Sequence, residues 1–208
     1  FNYFFSIIKL IKYRFLQVFL ELKMSILKKV DVFVYRYPLD NPVITSFGIM
    51  NNRPLLLLKV TDNNGIEGWG EIWCNFPLTG AEHRAKLVDN IFSPLLTNHE
   101  ISSPKETFAF LTNKTKILSI QSGEPGPIAQ CIAGIDIALH DLIAKKEKVP
   151  LWKKFGGKKK IIPIYASGIN PTNPSLIVEK ALKDNFKAFK LKIGFGIEKD
   201  LENIKEIN

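Results

Sequence analysis

The pattern of apolar residues changes at Gly156-Gly157, and this change limits the folds that the chain can adopt. Before the two glycines, three segments with strand periodicity precede three with helix periodicity; after them, a short strand, a helix and a second strand alternate. Strands followed by helices are typical of an α+β domain, whereas a strand–helix–strand unit builds parallel sheets and barrels. A complete eight-stranded α/β barrel needs ~250 residues. The 208 residues therefore exclude a complete barrel.

Three strands are expected in the first part of the chain, over residues 26–37, 54–62 and 66–73. Apolar residues alternate along the first strand, which Pro38 should end, and residues 42–52 are expected to form a loop. Asn63-Asn64-Gly65 is a tight-turn sequence, so the second and third segments should pair as a hairpin. The prediction is a three-stranded antiparallel meander.

Three helices should follow, over residues 81–96, 104–116 and 127–148. The third has the strongest pattern, because apolar residues from Ile128 to Ile143 recur every three or four positions and form one wide face. Lysines in its last turn complement the helix dipole, and Val149-Pro150 should end it. Together these segments predict a small α+β domain over residues 24–150.

The remainder predicts strands over residues 161–167 and 186–193, with a helix from residue 173 between them and another helix from about residue 197. Side chains two apart on a strand share a face, so Lys190 and Lys192 should lie on one side of the second strand. If that side is enclosed, two neighbouring ammonium groups lower the pKa of at least one lysine, which could then act as a general base. The alternative is an exposed strand edge with solvated lysines, which easily occurs in a chain with 25 lysines.

Residues 1–23 (FNYFFSIIKLIKYRFLQVFLELK) are more apolar and aromatic than the rest of the chain. Charged residues interrupt them too often for a membrane span, and no small-residue cleavage site comes after them, as a signal peptide requires. An amphipathic helix at a membrane surface is an alternative interpretation of these residues. The preferred interpretation is that the fold begins at Met24 and that this leader is not part of it.

The net charge of +9 does not indicate a nucleic-acid partner, because only 4 of the 29 basic residues are arginine. Nucleic-acid surfaces rely on arginine for bidentate contacts. Cys74 and Cys131 lack the spacing of a zinc site or of a disulfide framework. Reduced thiols in a cytoplasmic protein are the expectation, with Cys131 filling the core.

Three motifs occur in order: residues 60–71 (VTDNNGIEGWGE), residues 133–142 (AGIDIALHDL) with 149–151 (VPL) and 155–157 (FGG), and residues 189–194 (FKLKIG). They resemble the capping-domain hairpin, the cap-to-barrel link and the second barrel strand of the enolase superfamily, in its mandelate racemase/muconate lactonizing enzyme branch. The resemblance implies an α+β capping domain over residues 24–150. It also implies the first βαβ unit of an incomplete (β/α) barrel over residues 158–208.

In this family the resemblance assigns Lys192 as the base that abstracts the proton α to a substrate carboxylate. Lys190 would lower the pKa of Lys192 and help to hold the carboxylate. The resemblance further implies a magnesium ion that stabilises the enediolate. Its three acidic ligands belong to the third, fourth and fifth barrel strands, which this sequence does not contain, so no metal ligand is expected here.

Two cap loops should contact the substrate: Thr45, Ser46, Phe47 and Gly48 in one, and Trp73, Asn75 and Phe76 in the other. Packing within a loop or core is the alternative for each of these residues. Glu71, Asp136 and Asp141 lie in the cap or link, where the family has no metal ligand, so hydrogen bonds and caps are their expected roles. His140 occupies a position where the family more often has tryptophan, and a structural role is expected.

The implied function is that of a magnesium-dependent isomerase or lyase acting on a small-molecule carboxylate. Residues 190–201 (KLKIGFGIEKDL) are most similar to cycloisomerases of sugar-acid lactones, which favours a racemase or cycloisomerase over a dehydratase. The chain alone should be inactive. The alternative is a non-catalytic truncated or pseudogene product, or a cap domain acting as a binding module. The full-length enzyme should be a homo-oligomer in the cytoplasm, with no nucleic-acid partner and no membrane contact unless the leader is real.

Overall fold

The computed structural model describes residues 25–46 and 48–207, so the leader over residues 1–23 lies outside the described residues. Two compact units form within them. One contains residues 25–35 and 54–157, and the other contains residues 36–46, 48–53 and 158–207. The second unit is therefore assembled from two stretches that are far apart in the sequence.

An antiparallel sheet contains the three predicted strands: β1 (Ser25–Thr45), β2 (Gly48–Asp62) and β3 (Glu67–Ile72). A fourth strand, β4 (Glu100–Ile101), was not predicted, and the strand order is β3-β2-β1-β4. Leu58 pairs with Gly70 across β2 and β3. The predicted turn joins these two strands: the Asp62 carboxylate accepts bonds from the N–H groups of Asn64 (2.8 Å) and Ile66 (2.9 Å).

The first strand does not end at Pro38, and residues 42–52 are not a loop. Strand β1 continues to Thr45, and β2 already begins at Gly48. Proline removes one ladder hydrogen bond, which only an edge strand tolerates. Strand β4 pairs with Ser25 and Ile26 alone, so the rest of β1 has just one neighbouring strand in the described sheet.

The predicted helices are present, with ends that differ from the prediction by up to five residues. Helical structure runs from residue 80 to 96 as α1 (Gly80–Leu87), a π-helical turn (Val88–Phe92) and α2 (Ser93–Leu96). Helix α3 (Pro104–Gln121) extends five residues beyond the prediction. Helix α4 (Pro125–Glu147) is followed by the short α5 (Leu151–Lys154). The Ser103 hydroxyl caps α3 by accepting the Glu106 N–H at 3.1 Å.

The core of the first unit lies between the sheet and α4. Glycines allow this close packing, because a Cβ added at Gly70 would lie 2.1 Å from the carbonyl oxygen of Gly134. Helix α4 is long and apolar enough to cross a membrane, but half of that stretch is buried in the unit. Cys74 and Cys131 are free and buried, and burial raises the pKa of the Cys131 thiol to about 12. Cys131 therefore fills the core as predicted.

The second unit contains a short parallel pair, β5 (Ala166–Ile169) and β6 (Phe189–Leu191). Helix α6 (Pro174–Lys183) lies between the strands in sequence, and α7 (Ile197–Ile207) comes after them. The strand predicted over residues 161–167 is present only at its end, as part of β5. Residues 161–165 precede β5, are exposed and do not belong to a strand. Their apolar side chains have no partner layer within the described residues, so only the end of that segment pairs.

Candidate active site

Lys192 lies directly after β6, in the half-buried part of the second unit. Its backbone N–H donates to the carbonyl oxygen of Ile169 at 3.2 Å, which ties the end of β6 to the end of β5. Its ammonium Nζ donates to the main-chain carbonyl of Ile44 at 3.2 Å and to Asn170 Oδ1 at 3.1 Å. Two separate stretches of chain, the end of β1 and the end of β5, therefore hold this lysine.

Burial lowers the pKa of Lys192, and the positive charge of Arg53 lowers it further. Lys190 was predicted to be the neighbouring cation, but it is exposed on β6, and Arg53 on β2 takes that role. Desolvation penalises the ammonium form, and a nearby like charge adds to the penalty. A larger share of Lys192 is therefore neutral at a given pH than of an ordinary surface lysine, as a general base requires.

The two acceptors of Lys192 were not found from the sequence. Asn170 comes directly after the last residue of β5, at the carboxyl end of a parallel strand, where α/β proteins place ligand-binding groups. That position was the available signal for Asn170. Ile44 contributes only its carbonyl oxygen. Because every residue has such a group, no residue type in the sequence could have indicated it.

The first predicted substrate loop belongs to the same unit as Lys192. The Thr45 hydroxyl donates to the carbonyl of Gly48 at 2.7 Å, which closes the turn between β1 and β2. Ser46 is exposed, and its Cβ lies 3.3 Å from the position that a Cβ on Gly194 would occupy. The structure thus brings Ser46 beside the segment that comes after Lys192. Phe47 lies outside the described residues.

The second predicted loop belongs to the first unit, where Trp73 is exposed and Asn75 and Phe76 are half-buried. Arg84 of α1 organises this loop and was missed from the sequence. Its buried guanidinium donates to the Phe76 carbonyl at 3.3 Å and lies 5.9 Å from the centre of the Trp73 ring. A further bond to Gln130 Oε1 at 2.7 Å connects this arginine to α4.

The remaining candidate side chains have structural contacts. Asp141 accepts the backbone N–H of Trp69 at 2.8 Å and pairs with Lys145 at 2.7 Å, so it joins α4 to β3 as expected. His140 lies edge-on to the Phe155 ring at 5.1 Å, and its Nε2 is 3.8 Å from Asp136. These contacts agree with packing roles for Asp141 and His140.

Residues 25–46 and 48–207 contain no group of three His, Cys, Asp or Glu side chains that could hold a metal ion. Magnesium prefers near-octahedral oxygen coordination from carboxylates. The described residues therefore do not fit a magnesium site.

Solved structures with similar folds cover most of this chain. A mandelate racemase/muconate lactonizing enzyme from Bordetella bronchiseptica RB50 is 46% identical with a TM-score of 0.78, over 86% of this chain and 47% of that one. A racemase from Streptomyces coelicolor A3(2) with bound magnesium has a TM-score of 0.77 at 24% identity, over 88% of this chain and 51% of that one. The second likeness concerns the fold alone.

A curated relative, 3,6-anhydro-alpha-L-galactonate cycloisomerase from Streptomyces coelicolor, is 25% identical over 87% of this chain and 50% of its own length. The chain spans about half the length of the curated relatives it matches. The family model for the N-terminal domain of mandelate racemase/muconate lactonizing enzyme matches residues 29–156. This chain therefore belongs to the mandelate racemase/muconate lactonizing enzyme family of the enolase superfamily.

Proposed function

We propose that this chain forms the N-terminal half of a magnesium-dependent enzyme that removes the proton α to a substrate carboxylate, with Lys192 as the general base. The observation that carries the proposal is the environment of Lys192. Its amine is half-buried, its pKa is lowered by burial and by Arg53, and two carbonyl-type oxygens fix its position. A neutral amine held in place can accept a proton from carbon.

The proposal also divides the chain into two domains. Residues 24–150 act as the capping domain, and residues 158–208 begin the (β/α) barrel. The parallel β5–β6 pair with α6 between its strands supports the barrel assignment. Magnesium would need carboxylate ligands from residues beyond this chain. Lys190 is proposed to contact the substrate carboxylate as a solvent-facing cation.

A sugar acid or its lactone is the proposed substrate, and cycloisomerisation or racemisation is the proposed reaction. In support, a 3,6-anhydro-D-galactonate cycloisomerase from Zobellia galactanivorans is 30% identical with a TM-score of 0.69. Thr45, Ser46, Phe47 and Gly48 in one loop, and Trp73, Asn75 and Phe76 in the other, are proposed to select the substrate. We further propose a cytoplasmic homo-oligomer for the complete enzyme.

A chimaera tests this function. Residues 25–207 are joined to the remaining half of the Bordetella bronchiseptica protein and incubated in D2O with magnesium and a panel of sugar acids, lactones and mandelate. Deuterium should enter the α position of at least one carboxylate, as detected by NMR. Lys192→Ala should lower the exchange rate about 100-fold or more, because general-base catalysis contributes 10²–10⁴-fold.

Lys187→Ala is the matched control, since Lys187 is an exposed lysine just before the same strand. It should leave the exchange rate unchanged. Exchange that survives in Lys192→Ala would refute the role of Lys192. A chimaera that folds, as judged by circular dichroism, but exchanges no carboxylate would favour the alternative of a non-catalytic cap or binding module. The 208-residue chain alone should show no exchange.

A further inference from the structure

The amine of Lys192 is held by two oxygen atoms from different parts of the second unit. Ile44, near the end of β1, provides a main-chain carbonyl at 3.2 Å, and Asn170, directly after β5, provides its side-chain carbonyl at 3.1 Å. Neither acceptor is charged. Both residues are half-buried.

The tetrahedral geometry of an amine nitrogen means that two fixed acceptors also fix the direction of its lone pair. A lysine nitrogen has three tetrahedral positions besides its bond to carbon. Two acceptors occupy two of these positions with N–H groups, so a single position is left. In the neutral amine that position is the lone pair, and after protonation it is the new N–H group. Two fixed acceptors therefore decide the direction from which the amine takes a proton.

We propose that Asn170 is a positioning residue which, together with the Ile44 carbonyl, orients the Lys192 amine so that its lone pair faces the substrate. This inference rests on the proposed function of Lys192 as the general base. The backbone supports it: the Lys192 N–H donates to the carbonyl of Ile169, the residue before Asn170, at 3.2 Å. This hydrogen bond fixes the backbone of residues 169–170 relative to that of Lys192. The Asn170 side chain is therefore held within hydrogen-bonding distance of Nζ.

A neutral amide suits this task better than a carboxylate. An aspartate at the same distance would stabilise the ammonium form and keep the proton on Lys192. Among the described residues, Arg53 from β2 is the charged group that lowers the pKa of Lys192. Lys190 on β6 is exposed to solvent. With Asn170, the amine is oriented without added negative charge.

The first test uses the 208-residue chain and requires no activity. Trace acetylation with acetic anhydride at a series of pH values, read by mass spectrometry, gives the pKa of each lysine from its rate of modification. Asn170→Asp should raise the pKa of Lys192 and leave that of the exposed Lys187 unchanged. Asn173→Asp is the matched control, because it adds the same charge at an exposed position of the same loop. Its effect on Lys192 should be much smaller.

The second test uses the chimaera and separates orientation from charge. Asn170→Ala should lower kcat about 10- to 100-fold with little change in KM, because misplacing a catalytic group by 1 Å can cost that much. Asn170→Asp keeps the acceptor oxygen. Its activity should fall at neutral pH and recover at high pH, so the acid limb of its pH profile moves to higher pH.

The outcomes distinguish this inference from the proposed function. If Lys192 titrates identically in Asn170→Asp and Asn173→Asp, Asn170 does not contact the amine and the inference is wrong, whatever the activity. If Asn170→Ala keeps full kcat in an active chimaera, orientation by Asn170 is also refuted. If the pKa of Lys192 responds as expected but Lys192→Ala still exchanges deuterium, the proposed base is wrong although the contact exists.

Discussion

At the scale of single residues, the charge that lowers the pKa of Lys192 comes from Arg53 on strand β2 and not from Lys190 on β6. Arg53 is exposed, so solvent screens part of its effect. Burial remains the larger cause of the lowered pKa. The reactivity of the lysine therefore depends on a side chain that lies 139 positions earlier in the sequence.

Arg53→Gln should raise the pKa of Lys192, because it removes a nearby positive charge that disfavours the ammonium form. A smaller fraction of the amine is then neutral at a given pH, so acetylation of Lys192 at pH 8 should become slower. Competitive acetylation read by mass spectrometry measures this rate. Arg36→Gln, an equal loss of charge on β1, is the control. An equal effect of the two variants would show that only net charge matters.

Lys192 was predicted as the base because residues 189–194 resemble a family motif, and such a motif is local information in the sequence. The partners of the lysine were not accessible in the same way. Ile44 acts through a backbone oxygen, and Arg53 and Asn170 approach only after the chain has folded. Strand β6 ends at Leu191, one residue before Lys192, and Lys190 is exposed on that strand, so the charge that lowers the pKa of Lys192 comes from Arg53.

At the scale of elements, the contact between α4 and β3 sets the spacing of the first unit. Gly68 and Gly70 of β3 face the main chain of α4, and Gly134 faces Ile72 in return. A side chain at any of these positions would push the helix off the sheet. The buried residues Ile135, Leu139 and Leu142 would then lose contacts with the strands.

Gly70→Ala should destabilise the chain by at least about 1–3 kcal/mol, the usual cost of overpacking, because its Cβ would meet backbone and not a flexible side chain. Urea unfolding followed by the circular dichroism of the helices measures the loss. Gly126→Ala in the first turn of α4 is the control, since nothing lies within 4 Å of its added Cβ. Equal midpoints for both variants would contradict tight packing at Gly70.

The elements that could be predicted are those whose own residues carry a clear signal, either a periodic pattern of apolar side chains or a turn sequence. Helix α4 was found almost to its ends, and the β2–β3 hairpin was found from its turn residues. Strand β4 has only two residues, which is too short for any pattern. Pro38 misled the prediction of β1, because a sequence does not show whether a strand has a neighbour on both sides. The apolar residues 161–165 indicated a strand, although no partner covers them in the described structure.

At the scale of the whole molecule, the two units differ greatly in buried apolar surface. The first has a continuous core of about twenty buried side chains. The second buries Met50, Ile169 and Val178 among its described residues, while Ile161 is 98% exposed and Ile197 is 81% exposed. Burial of apolar surface is the main stabilising contribution to folding, so the second unit should be much less stable.

Amide hydrogen exchange should therefore be faster in residues 166–191 than in α4 by orders of magnitude. Sedimentation of the 208-residue chain should also reveal association through the exposed apolar side chains of residues 161–204. Mass spectrometry of peptides from each unit supplies the exchange rates. Equal protection in α4 and in the β5–β6 pair would contradict this picture. The chimaera provides the comparison, because its second half should cover these side chains and slow the exchange.

The hydrogen bond between Lys192 and Ile44 joins residues 148 positions apart, and this has a consequence during synthesis. A ribosome adds ~5–20 residues per second, so the Ile44 carbonyl exists for about 7–30 s before the lysine that will bind it is made. In that interval the whole first unit can fold, whereas residues 36–53 must wait for their partners. Slower translation of residues 158–192 lengthens this wait. The order of synthesis thus delays the site around the lysine until after the first unit has had time to fold.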